Sequence, residues 1–173
     1  MTEHPKNDMP DSLQLIGAGQ AFRQELCDLI AATQMFSDFD WRDIETLSDY
    51  MQAYQAPAGT TLFREGEGGD YMCLIIKGKV EVVKKDQNDN AKVVATIGSG
   101  KTLGEMAIVD GEPRSATAIF AGATTLTILT KTNFLRIVSE KPALATKILL
   151  KIARLLSQRL RQTSGLLVDY LET

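Results

Sequence analysis

Histidine is almost missing from the sequence: the sole one, His4, stands in the polar opening segment MTEHPKNDMPDS. Histidine-rich metal centres and most Ser/His or Cys/His catalytic arrangements are thereby excluded, and most hydrolase chemistry goes with them. Cysteine is nearly as scarce, with only Cys27 and Cys73 present. Two are too few for a disulfide scaffold and lack metal-type spacing, so each reads as a small buried hydrophobe and the chain as cytoplasmic. No run approaches the ~20 consecutive apolar residues of a membrane span, and no apolar segment follows the opening, so neither a membrane nor a secretory signal is expected. An excess of one charge is lacking too: 19 basic residues against 22 acidic ones leave a net charge of -3. Without a global positive field, DNA, RNA and anionic membranes are not expected partners, and any bound anion must be captured locally.

What is there suits a single domain with a helical appendage in 173 residues. Residues 1–12 hold prolines and an Asn-Asp pair without periodicity and read as a disordered leader. Apolar positions then recur at helical spacing, first Phe22, Leu26, Leu29 and Ile30, then Ile44, Leu47 and Met51. Pro57 and Gly59 break that pattern. Short β-rich runs follow, TLFRE, YMCLIIKG, KVEVVKK, KVVATIG, ATAIFA and TLTILT, with DQNDN as an exposed hairpin turn. Such strands at such spacing indicate a sandwich or barrel. After Thr130 the helical period returns at Phe134, Ile137 and Val138. Pro142 then opens a long helix carrying Ile148, Leu149, Ile152, Leu155, Leu156, Leu160 and Leu167, with Gly165 a candidate for its early end or a bend.

The least strand-like part of the β-region is LGEMAIVDGEPRSAT, residues 103–117. Gly104 lets a ligand approach the backbone, and Glu105 to Val109 can form one helical turn whose free N–H groups would hold an anion. Asp110-Gly111 supplies a turn, Pro113 stiffens the return, and Arg114 at the next strand offers a planar fork of donors suited to phosphate. Ser115 adds a hydroxyl and an amide. A carboxylate accepts hydrogen bonds only, so Glu105 suits a sugar hydroxyl beside the phosphate rather than the phosphate itself. Plainer readings stand beside these: Arg114 as a surface arginine paired with Glu112, and Glu105 as a carboxylate stabilising its own helix dipole.

GEMAIVDGEPRSAT resembles the phosphate-binding cassette of the cyclic-nucleotide-binding domain family, the family of the catabolite activator protein, kinase regulatory subunits and cyclic-nucleotide-gated channels. Upstream, Pro57, Gly59, Thr61-Leu62-Phe63, Glu65-Gly66, Gly69-Asp70 and the run from Tyr71 to Val82 resemble its opening strands. The resemblance implies an α+β fold: a β-roll, that is a jelly-roll-like antiparallel β-sandwich, flanked by N-terminal helices and a long C-terminal helix. It implies a leader over 1–12, N-terminal helices over 13–52, the β-roll over 53–130 with its cassette at 103–117, and C-terminal helices over 131–173.

It also implies roles: the residue matching Glu105 binds the ribose 2′-hydroxyl and that matching Arg114 the cyclic phosphate, while Gly104, Met106, Ala107, Ser115 and Ala116 line the same pocket. In the family the long helix closes over the base, and the threonine and serine that hold adenine in the activator protein are replaced here within Ser157-Gln158-Arg159-Leu160-Arg161. Arg159 is the candidate for the base, as a stacking or edge-bonding guanidinium or as one of several solvated cations. The implied ligand is a cyclic mononucleotide, cyclic AMP first, with cyclic GMP and cyclic di-GMP as alternatives, and no cofactor, metal or enzymatic activity is expected. The 3- and 4-residue spacing of Leu149, Ile152, Leu156, Leu160, Thr163 and Leu167 suits a homodimer through this helix, or packing on the β-core. The chain ends soon after it, without the ~60 residues of a helix-turn-helix reader, so signalling to a downstream protein rather than to DNA is expected. The alternative is a ligand-free interaction or adaptor module on the same fold.

Overall fold

The computed structural model describes residues 9–16 and 20–171. It divides into two compact units, residues 1–134 and 135–173. The first holds helices α1 (Gln20–Ala31), α2 (Trp41–Ser48) and α3 (Glu105–Asp110) and strands β1 (Gln14–Leu15), β2 (Met51–Ala56), β3 (Thr61–Phe63), β4 (Tyr71–Lys77), β5 (Lys79–Lys85), β6 (Ala91–Gly98), β7 (Thr102–Leu103), β8 (Thr117–Phe120) and β9 (Thr124–Thr130). Helix α4 (Lys131–Glu140) runs across the boundary, and the second unit carries α5 (Pro142–Leu171). The fold is thus α+β, an antiparallel sandwich with helices before it and a long helix after it, as expected.

A five-stranded sheet in the order β1-β2-β9-β4-β7 faces a four-stranded sheet in the order β3-β8-β5-β6. Every pairing is antiparallel. The runs YMCLII and LTIL, apolar but for the buried Thr127, form β4 and β9 at the centre of the larger sheet, and both of their faces are buried. A run without polar alternation needs cover on both sides, so it belongs at a sheet centre. One face supplies Tyr71, Cys73, Ile75, Leu126 and Ile128 to a core shared with Leu62, Val80, Ala118 and Phe120 of the smaller sheet. Strand β6 lies at that sheet's edge and leaves Val93 and Val94 exposed.

Three expectations change. Residues 1–8 of the leader lie outside the described residues, but Met9 and Leu13 pack on the core, and the Ile16 N–H bonds to the Ala53 carbonyl at 2.9 Å, so order begins before residue 12. Met51 and Gln52 belong to β2, not to a helix. The chain leaves α2 through an Asp49 cap whose N–H bonds back to Thr46 and Leu47, and Met51 then pairs with Leu129 of β9. Sheet pairing outweighs the helical spacing from Ile44 and Leu47. Lastly, α5 passes through Gly165 and runs to Leu171, neither ended nor shortened there. The DQNDN segment does form the β5–β6 turn, with Asp89 at φ 65°.

Candidate functional site

The stretch between β7 and β8 is built around two glycines. Leu103 of β7 pairs with Cys73, and Gly104 then takes a left-handed conformation, φ 80° and ψ 4°, to cap α3. A glycine meets that geometry without steric cost. Within α3, Glu105, Ala107 and Ile108 are buried while Met106 and Val109, three apart, face solvent. Gly111, also left-handed, ends the helix with its N–H on the Ala107 carbonyl. Asp110 Oδ1 accepts the Glu112 N–H at 2.9 Å, closing the turn that the Asp-Gly pair suggests.

Arg114 follows three residues before β8. Its N–H donates to the Glu67 carbonyl and its carbonyl accepts from the Gly66 N–H, each at 2.8 Å, which fixes its backbone against the glycine-rich β3–β4 loop. Its side chain turns inward and is only 4% exposed. Nη2 donates to the Tyr71 carbonyl at 2.9 Å and Nη1 to the Gly104 carbonyl at 3.2 Å, while Cζ lies 4.1 Å from the centre of the Phe63 ring and 4.5 Å from that of Tyr71. Nε is buried and has no hydrogen-bond partner among the described residues. The surface pairing with Glu112 is therefore not the arrangement adopted: Glu112 is exposed and Arg114 is buried on rings and carbonyls.

Glu105 is equally withdrawn, at 1% exposure. Its carboxylate and the Arg114 guanidinium bring opposite charges to one interior. Both act on Cys73 in β4, whose thiol burial pushes up to about 12, with Arg114 opposing the shift and Glu105 adding to it. Burial also raises the Tyr71 phenol above its ordinary range. That phenol donates to the Leu62 carbonyl at 3.0 Å, and its ring meets Phe63 edge-on, centroids 6.4 Å apart.

Gly104, Glu105, Met106, Ala107, Arg114, Ser115 and Ala116 thus occupy one place, α3 and its return to β8. Ser115 is exposed, its hydroxyl 3.9 Å from the Met106 sulfur, and Ala116 is buried. Arg159 lies in α5, in the other compact unit, and is half-buried. Sequence reasoning assigned no role to Phe63, Gly69 or Tyr71. Their signal is indirect: an arginine held inside a domain needs aromatic faces or carbonyls around it, and the aromatic residues of β3 and β4 are the ones that supply ring faces. Among the described residues, no cluster of three or more His, Cys, Asp or Glu could hold a metal, and no helix is long and apolar enough to cross a membrane.

The family model described as a cyclic nucleotide-binding domain matches residues 54–141, from β2 to the end of α4, with the whole 103–117 stretch inside. The chain belongs to the cyclic nucleotide-binding domain family. A solved cyclic nucleotide-binding domain from Methylobacillus flagellatus is 30% identical, with a TM-score of 0.80, and the match covers 91% of this chain and 89% of that one. A CRP-like cAMP-activated global transcriptional regulator from Mycobacterium tuberculosis is 26% identical over 84% of this chain. A cyclic nucleotide-gated potassium channel from Rhizobium etli is 32% identical over 69% of it. The chain spans 63% of that regulator's length and 32% of that channel's, so the family domain is shared while the rest of those proteins is not matched.

Proposed function

We propose that the chain is a cyclic nucleotide sensor whose ligand is cyclic AMP. Glu105 takes the ribose 2′-hydroxyl and Arg114 the cyclic phosphate, with Gly104, Met106, Ala107, Ser115 and Ala116 lining the pocket between them. Arg159 is assigned to the base. Binding couples to movement of the C-terminal helix, which reports to a downstream protein in the cytoplasm as a homodimer, without enzymatic turnover. The observation that carries this reading is the joint burial of Glu105 and Arg114 within one short stretch, with a guanidinium N–H left without a partner among the described residues. A buried arginine without its full complement of acceptors costs stability, and a phosphate oxygen removes that cost. The cAMP-activated regulator and the cyclic nucleotide-gated channel among its relatives support it.

The test is calorimetric titration of protein freed of co-purified nucleotide with cyclic AMP, cyclic GMP and cyclic di-GMP. Saturable binding of cyclic AMP, lost in Arg114→Ala and weakened in Arg159→Ala, is expected. Preference for another of the three ligands would change the named nucleotide. No heat with any of them would favour the ligand-free adaptor, for which the exposed Leu149, Leu150, Leu160 and Leu167 of α5 offer a surface.

A further inference from the structure

Arg114 is held by two devices of different chemistry, and they leave different parts of it available. The backbone carbonyls of Gly104 and Tyr71 take one N–H each from Nη1 and Nη2. A guanidinium carries five N–H donors, so the one on Nε and one on each Nη are left over. The rings of Phe63 and Tyr71 hold the cation through their electron-rich faces at 4.1 and 4.5 Å, a contact that does not itself use the N–H donors. A carboxylate in their place would have taken the fork bidentately and cancelled the charge. Aromatic support stabilises the buried cation and keeps it able to bind an anion.

The surroundings preserve this pose. The Tyr71 ring is anchored by its hydroxyl on the Leu62 carbonyl, and Phe63 stands at 64° to it, so the two rings form a corner rather than a stack. Gly69 lies against the Nε side: a Cβ there would be 3.2 Å from Nε and Cζ and 2.4 Å from the Ala107 Cβ. Bare backbone at that position keeps a side chain from pressing on the buried, unpartnered Nε edge.

We propose that Phe63 and Tyr71 are positioning residues for Arg114: their rings fix the plane of the guanidinium so that its Nε edge is the one presented to a phosphate. This rests on the reading of Arg114 as the phosphate ligand, and the experiment separates the two. The Arg114 Nε–H resonance is followed by 1H–15N NMR, identified by its loss in Arg114→Lys, while cyclic AMP is titrated into wild type, Phe63→Leu, Phe63→Tyr and Tyr71→Leu. In Phe63→Leu the ring-current shift of that resonance should diminish and affinity should fall roughly tenfold, the scale of one desolvated cation–π contact. Phe63→Tyr should restore both, and Tyr71→Leu, which removes the second ring, should diminish both in the same sense.

If Phe63→Leu does not fold, pentafluorophenylalanine at position 63 keeps the ring's size and reverses the charge of its face, and the same loss is expected. A merely structural ring would tolerate that exchange. Wild-type affinity in Phe63→Leu or in the fluorinated protein, or a wild-type Nε–H shift in Phe63→Leu, would overturn the proposal. If wild type takes up no cyclic AMP while the resonance moves as described, the ligand reading falls and the positioning of Arg114 by the two rings stands.

Discussion

A methyl group on Gly104 would lie 2.6 Å from Nη1 of Arg114 and 3.1 Å from the Tyr71 carbonyl. The glycine that caps α3 and the arginine that returns to β8 therefore share one space, and neither can enlarge without moving the other. Carbonyl and rings confine the arginine from its other sides.

Gly104→Ala is expected to expel the guanidinium from its seat. Left-handed backbone alone costs a non-glycine residue about 1–2 kcal/mol, and the contact with Nη1 adds to it. A lower melting temperature together with loss of cyclic AMP binding, read by thermal denaturation and calorimetry, is the expected result. Binding at wild-type strength would show that the seat of Arg114 is not needed.

Glu105→Gln exchanges an acceptor-only group for an amide of the same shape. If the carboxylate accepts the ribose 2′-hydroxyl, the variant should lose about 1.5–3 kcal/mol of cyclic AMP affinity, the worth of a hydrogen bond to a charged group. 2′-Deoxy cyclic AMP should bind wild type and variant alike. Equal losses for both nucleotides would assign Glu105 to the fold rather than to the sugar.

The Cys73 thiol, pushed up to about 12 by burial, should resist alkylation at pH 8 in a Cys27→Ala background. Because the folded-state value is raised, its contribution to stability is complete below the ordinary thiol range and declines as the pH climbs above that range toward 12. Melting temperature against pH between 7 and 11, compared with Cys73→Ala, reads this directly. A thiol that reacts at the rate of the unfolded chain would contradict its placement in β4.

At the β5–β6 turn, the Asn90 backbone N–H, the Lys92 ammonium and the Asn88 N–H hold the Asp86 carboxyl below its ordinary range. A lowered value stabilises the turn at pH above the unfolded-state value, and that support disappears as pH falls through the folded-state one. Amide shifts of Asn88 and Asn90 followed by NMR should move together, at a lower pH than an ordinary aspartate titrates. Asp86→Asn should remove the transition.

Much of this was legible from residue patterns. The β-rich runs that became β4 and β9 pointed to strands of a sandwich or barrel, and the order of glycine, acid, proline and arginine from Gly104 to Arg114 drew attention to the stretch that gathers the candidate site. Met51 misled because its spacing from Ile44 and Leu47 fits a helix as well as it fits anything local, and only its pairing with Leu129 decides otherwise. The two residues of β7 are too few to carry a period. The inward turn of Arg114 escaped because it depends on partners far upstream, the Tyr71 carbonyl being 43 residues away. Nothing in the neighbourhood of an arginine along the chain states which rings it will meet.

Leu103 belongs to one sheet and Thr117 to the other, so the peptide between them is a strap joining the two halves of the sandwich. A small molecule gripped at once by Glu105 and Arg114 would shorten that strap much as a covalent cross-link shortens a loop, restraining the sheets from sliding apart. Its mark would then fall on the rate at which the sandwich opens, with ligand slowing the escape of amides in β4 and β8 to solvent more than it changes their architecture.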